Sequence, residues 1–425
     1  MTVAHLGPPP GRQGGPAGYL AQLDAALADG SGAHRVLLPA RAPAHTAGPG
    51  EQARPWRAGA LTALRRLRRT VLGAPRHYRP EAERLRQPGS DAGRQIDAAW
   101  DTVGADGRAA VAAVAHERPD VWFAHDAPTA EAALATRRPG QQVWLLLHNP
   151  MPLALYLVWC WGVPEASWEE VVSYPDVQAG VERERQVVEA VDRLLIPCRE
   201  AADELARAAP SLKPALAGAT PLLTGAAGPR PGDPGQAVED RRARFGLPVD
   251  RPVGLFVGNA QPYRGLDVLL AALSALPAGA PPGVVAVAGC PADRLPLHAR
   301  LRALGPVRAM GDLLGAVDFV INVNRFSLFD LSTIEACEAG RPLLLSATGG
   351  NLTFRDLGAG CVMLPSTSPA AVADGLASSW AMSSATRADL VARSRACYER
   401  HLTLAHLRQR HLDLYSAASA ASPRS

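Results

Sequence analysis

Short, uninterrupted apolar runs recur along the whole chain. In the first half they are TVAHLG, HRVLLPA, DVWFAH, QVWLLLH and RLLIPC; from Arg251 onward they are PVGLFVG, VVAVAG, FVINV, PLLLS and VMLP. Their positions are apolar throughout rather than alternating, as expected of strands covered on both faces. Between the later runs LDVLLAALSAL, LSTIEACEAG and AAVADGLASSW have the length and spacing of helices, and a polar helix is expected near Leu297–Leu304. Gly340 stands where a helix C-cap glycine belongs. Strands alternating with helices predict right-handed βαβ units and parallel sheets.

The pattern breaks at Thr220–Gln236, TPLLTGAAGPRPGDPGQ, which is crowded with Pro and Gly and has no period. We place a domain boundary there, near Gly228. The fold class is therefore α/β: a domain over residues 1–228, and a second doubly wound domain over residues 229–395. A C-terminal helix over residues 396–415, with leucines at 402, 404, 407, 412 and 414, is expected to pack back on the first domain, and residues 416–425 to fray.

Composition narrows the class. The 425 residues suit two domains, and 47% hydrophobic with 20% charged content and a mean hydropathy of −0.03 describes a soluble globular protein. Net charge is only +4, yet residues 41–94 hold twelve arginines against four acids, so the remainder must sum to −4. Lys213 is the single lysine, and a GC-rich genome explains this arginine usage as readily as binding does. Within the basic stretch, Ala60–Gly73 reads either as an amphipathic helix contacting an anionic membrane peripherally or as a solvated arginine-rich face. Six scattered cysteines show no zinc spacing, the first residues lack a signal-peptide pattern, and the longest apolar run falls short of the roughly 20 residues that span a bilayer. A cytoplasmic protein is the expectation. No strand leads into G-x-G-x-x-G with a following acid, and nucleic-acid binding would rest on the 41–94 charge alone.

Two fragments carry specific chemistry: VGNAQPYRGLD and NRFSLFDLSTIEACEAGRP. The first puts Arg264 into a Gly-bounded turn between an apolar strand and an apolar helix, where a diphosphate could meet both the guanidinium and a helix N-terminus. The competing reading is a plain surface-turn arginine. The second puts Glu335 on a helix of otherwise small or apolar positions, where a carboxylate needs a partner or solvent.

The first fragment resembles the segment that retaining GT-B glycosyltransferases of family four, the group 1 glycosyltransferases, write as G-R-x-x-P-x-K-G, with Asn259 at the arginine and Arg264 at the lysine. The second resembles the two glutamates flanking F-G-L, followed by E-A-x-x-x-G-x-P. There Ser327 stands at the first glutamate, Asp330 at the glycine and Glu335 at the second glutamate. GGPAGYL, FAHD, LLLH and VDRLLIPCREAADEL extend the resemblance over most of the chain.

The resemblance implies a GT-B fold, two Rossmann-like domains facing across a cleft, and a set of roles. Arg264, Asn259, Gly14 and Gly15 would meet the donor diphosphate, with Arg325 supplying the cation missing at 259. Glu335 would accept from the ribose. Ser327, Phe329, Asp330 and Leu331 would line the donor sugar, Asp330 suiting an amino or deoxy function. His148, at a strand end, with His125 and Asp126 at the end of the preceding strand, would lie near the reacting centre; each histidine has a structural reading as well. Tyr156, Trp159, Trp161, Trp168 and Tyr174 read either as core or as a stacking surface for an acceptor.

The implied function is metal-independent, front-face retaining transfer of a hexosyl-type sugar from a nucleotide-diphosphate donor to a hydroxyl of a glycan precursor or small natural product. No cofactor is implied beyond the donor substrate, and no D-x-D metal motif is present. The alternative is a non-catalytic nucleotide-sugar-binding partner of another transferase, motivated by the altered residues at 259 and 327.

Overall fold

The computed structural model describes residues 1–7, 15–28, 30, 32–39, 88–161, 168–233 and 235–421. Ala60–Gly73 and Gly14 lie outside the described residues. Contacts divide the chain into two compact units: Met1–Ile196 with Leu205–Pro221 and Leu412–Ser425, and Pro197–Glu204 with Leu222–His411.

The first unit is built on a parallel sheet of six strands: β1 (Thr2–Leu6), β2 (Arg35–Leu37), β3 (Val121–Ala124), β4 (Gln142–Leu146), β5 (Arg193–Ile196) and β6 (Thr220–Pro221), in the order β2-β1-β3-β4-β5-β6. Val3, Phe123, Leu145 and Leu195 are fully buried, as uniformly apolar strands require. The helices Gly15–Ala26, Asp91–Val114 and Ala127–Thr136 are interleaved with these strands. Strand order reverses between β1 and β3. In open α/β sheets such a switch point opens a crevice at the strands' carboxyl ends.

The second unit repeats the plan with β7 (Val253–Val257), β8 (Val284–Ala288), β9 (Leu301–Gly305), β10 (Phe319–Asn322), β11 (Leu343–Ser346) and β12 (Cys361–Leu364), in the order β12-β11-β10-β7-β8-β9, again all parallel. Phe256, Leu269, Val287, Ile321 and Trp380 belong to its core. Here the order reverses between β7 and β10, so the segments after these two strands are brought side by side.

Three elements depart from the sequence reading. The helix expected near Leu297–Leu304 is instead edge strand β9, paired with β8 across a register irregularity at Val287 and Ala288. Only Leu301 and Gly305 of its five residues are buried, and this exposure gave the segment its polar look. The connection Thr220–Gln236 starts as strand β6, and the main run of the second unit starts at Leu222. The last helix runs Leu404–Ala421, through residues expected to fray, and its part from Leu412 contributes buried Leu414, Tyr415 and Ala418 to the first unit. Among the described residues no helix is long and apolar enough to cross a membrane.

Candidate functional site

In the second unit β7 runs out into Gly258 and Asn259, and a single 3-10 turn, Pro262–Arg264, leads into the helix Leu266–Ala275. Gly265 makes that junction possible. It is left-handed at φ 70°, and a Cβ there would lie 2.1 Å from the Val323 carbonyl oxygen, so only glycine lets the turn press against the end of β10. The Arg325 amide donates to the Tyr263 carbonyl at 2.7 Å, tying the two segments together.

The guanidinium of Arg325 secures the same junction. It donates to the Pro262 carbonyl at 2.7 Å and, through both terminal nitrogens, to Asp267 at 2.8 and 2.6 Å. Arg325 thus clamps the turn through Pro262 and Asp267. Asn259 itself is exposed, and its Oδ1 accepts from the Gln261 amide at 3.3 Å.

Arg264 is held differently. Its Nη1 donates to Asp330 at 2.8 Å, its ion-pair partner, and the guanidinium lies 5.1 Å from the Tyr263 ring centroid. Burial opposes its charge, but Asp330 and Tyr263 outweigh that and raise its pKa further. The Nε is shielded from solvent and has no hydrogen-bond partner. A buried donor left open in this way costs about 1–3 kcal/mol and is a natural receptor for an anionic oxygen.

Asp330 is the hub of a polar network at the carboxyl end of β10. Besides Arg264 it accepts from Asn322 at 2.8 Å and Asn324 at 2.5 Å. Asn322 also donates to Thr333 at 3.1 Å, and the chain continues through Ser346, which donates to the Asn324 carbonyl at 2.6 Å, and Asn351, which donates to Ser346 at 3.1 Å. Ser327 is fully buried and makes a long 3.4 Å bond to Asn351. Asp330 and Ser327 are therefore joined to one interior network that pre-positions Arg264. Phe329 stacks on Phe354 at 4.2 Å between ring centroids, and Leu331 is half-buried at the start of the helix Leu331–Glu338.

Glu335 lies one turn along that helix, half-buried, and its carboxylate makes no hydrogen bond or ion pair to any described residue. Burial, with the neighbouring charge of Glu338, pushes its carboxyl up to about 7. Glu338 accepts from the Gly228 amide.

The switch point of the first unit gathers histidines. His5 is the penultimate residue of β1, His125 follows β3 and His148 lies just beyond β4. His5 Nδ1 and His125 Nε2 are 2.9 Å apart, and His125 Nδ1 and His148 Nε2 are also 2.9 Å apart. Burial holds the half-buried His148 ring neutral, its pKa pushed down to about 3. Asp126 takes no part in this column. It is the N-cap of the helix Ala127–Thr136, accepting from the Thr129 amide at 2.8 Å, and burial raises its pKa. Gly15 begins the helix Gly15–Ala26 that follows β1. Of the aromatic candidates, Trp159 and Tyr174 are buried, Tyr174 bonding Glu170 at 2.6 Å, whereas Tyr156 and Trp161 are half-buried.

The segment carrying Arg264, Asp330 and Glu335 lies within a stretch similar to a known family. Residues 251–381 match the glycosyl transferases of group 1. A D-inositol 3-phosphate glycosyltransferase of Streptomyces coelicolor is 32% identical over 262 residues, which is 51% of this chain and 57% of the relative. The chain thus spans just over half the length of that curated relative. Among solved structures, the sucrose-phosphate synthase of Thermosynechococcus elongatus superposes with a TM-score of 0.66 at 17% identity, over 99% of this chain and 100% of that one. Anabaena Alr3699/HepE in complex with UDP-glucose superposes with a TM-score of 0.60 at 15% identity, over 98% and 100%. The two six-stranded parallel sheets are those of the GT-B fold.

Within the matched segment, Asn322, Ser346 and Asn351 escaped the sequence reading. An N-x-N at the end of an apolar strand was the available signal, since polar side chains there must be satisfied internally. In the first unit, His5 and its partner Tyr415 were missed too.

Proposed function

We propose that this chain is a retaining glycosyltransferase that moves a sugar from a nucleotide-diphosphate donor to a hydroxyl acceptor, by front-face transfer without a metal. One observation carries the reading: the unpartnered, buried Nε of Arg264, held by Asp330 at the switch point between β7 and β10, inside the segment that matches the group 1 glycosyl transferases. In such a transfer negative charge develops on the departing diphosphate, and a preorganised guanidinium stabilises it best if it is already fixed before the reaction. Arg264 donates from Nε and Nη2 to the diphosphate, Asp330 keeping Nη1. Glu335 accepts from the ribose hydroxyls, which supply the donors its carboxylate lacks. His148 presents its ring to the acceptor side of the reaction.

The acceptor follows the relatives only in class. One relative is named for D-inositol 3-phosphate, and we carry over a polyol or glycan hydroxyl rather than that compound. The UDP-glucose complex of a fold neighbour makes UDP-sugars the first donors to try.

Purified protein is to be mixed with UDP-, GDP-, ADP- and dTDP-sugars and its thermal unfolding followed. At least one should raise the midpoint, and the same donor should be slowly hydrolysed with its anomeric configuration retained, as read by proton NMR of the released sugar. Arg264→Ala should abolish both effects. No shift with any donor would sink the proposal, and binding without hydrolysis or transfer would identify the non-catalytic partner instead.

A further inference from the structure

The histidines of the first unit form part of a longer chain. His5 Nε2 lies 2.8 Å from the Tyr415 hydroxyl, so the order Tyr415, His5, His125, His148 is continuous through contacts of 2.8, 2.9 and 2.9 Å. Every link is head to tail: each of the two inner rings uses one nitrogen toward each neighbour. The rings therefore do not converge on a common point as metal ligands would, and among the described residues no side-chain cluster suits a metal ion. Packing fixes their planes. Phe123 stacks on His5 at 4.4 Å and on His125 at 5.2 Å, Tyr19 leans on His148 at 4.8 Å, and Trp144 stacks on Tyr415 at 6.4 Å. His5, His125 and Tyr415 are buried.

A neutral imidazole carries one proton, so in a head-to-tail chain the tautomer of one ring dictates that of the next. Only two ordered states exist. If Tyr415 donates, His5 and His125 each hold the proton on Nδ1, His148 accepts at Nε2, and the outer Nδ1–H of His148 is a donor. If Tyr415 accepts, every proton shifts to Nε2 and the outer Nδ1 of His148 is a bare base. A phenol hydroxyl is the more acidic donor and imidazole nitrogen the stronger acceptor, which favours the first state. The outer Nδ1 bonds no described residue, so it is the nitrogen left for a ligand.

We propose that Tyr415, His5 and His125 are positioning residues that lock His148 as a neutral Nδ1–H donor, aimed at an oxygen of the reacting sugars rather than acting as a base. This deepens the glycosyltransferase reading and rests on it for its catalytic meaning. It agrees with a transfer in which the leaving phosphate, not a side chain, takes the acceptor's proton.

The test is the nitrogen-15 ring spectrum of the histidine-labelled full chain, with His148 assigned by loss of its signals in His148→Asn. Wild type should show His148 with a bare Nε2 and a protonated Nδ1. Tyr415→Phe, which removes only the terminal hydroxyl, should leave His148 exchanging between tautomers, lower kcat roughly ten-fold to a hundred-fold and keep KM for the donor within about two-fold. If Tyr415→Phe does not fold, His5→Gln interrupts the same column and is read the same way. A wild-type His148 protonated on Nε2, or unchanged His148 shifts in the variant, overturns the proposal. Expected spectra without turnover of any nucleotide sugar would leave the tautomer assignment standing and bring down the glycosyltransferase reading.

Discussion

Glu335 makes nucleotide binding dependent on pH. Its carboxyl, pushed up to about 7, is about half protonated at neutrality. Ribose hydroxyls donate to the ionised form, so a bound nucleotide stabilises the carboxylate and releases a proton; affinity must then rise as pH rises through 7. We expect Kd for the nucleotide to fall about five-fold to ten-fold between pH 6 and pH 8. Titration calorimetry in two buffers of different ionisation enthalpy counts the proton, and Glu335→Gln should bind more weakly with no such slope. Chemistry at this scale was only partly legible in the sequence. A cation in a glycine-bounded turn marks Arg264 by itself, but its partner Asp330 stands 66 positions away, and Tyr415 stands 410 positions from His5. Such pairs follow from strand order, and no local pattern encodes strand order.

At the scale of elements, the turn Pro262–Arg264 and the start of the helix Leu331–Glu338 are held together largely through Asp330. Asp330→Ala leaves Arg264 charged, mostly shielded and unpaired, and strips two asparagines of an acceptor. We expect a loss of about 3 kcal/mol in urea unfolding. Arg264→Met in the same chain should recover part of it, because the stranded charge is then gone; strict additivity of the two changes would refute the coupling. The elements themselves were legible wherever strands lie inside a sheet and show unbroken apolar runs. β9 was not, since an edge strand has one neighbour and keeps polar residues such as Arg302, so its short segment carries no clear period.

At the scale of the whole molecule, two histidines and two glutamates among the described residues shape stability against pH. Burial holds His148 and His411 down to about 3 from 6.5, so each withdraws stability as pH falls from 6.5 toward 3. Glu184, which accepts from the Leu153 amide at 2.8 Å, and Glu335 are raised to about 7 from 4.5. Each of these withdraws stability as pH rises from 4.5 toward 7. The two pairs oppose each other between 4.5 and 6.5, so these groups predict a plateau there and a decline on both sides. Thermal melts across that range check it: Glu184→Gln should raise the midpoint by about 2 °C at pH 8 and leave it unchanged at pH 4. One further consequence follows from the last helix, Leu404–Ala421, whose Tyr415 ends the histidine column while the column's first ring sits at position 5. A ribosome makes strands β1 to β5 well before the helix Leu404–Ala421, so the first unit's strands exist before the residue that orders its histidines. The nascent chain therefore carries an unset column until that helix has emerged, and the tautomer of His148 is fixed only after the strands of the second unit have been made.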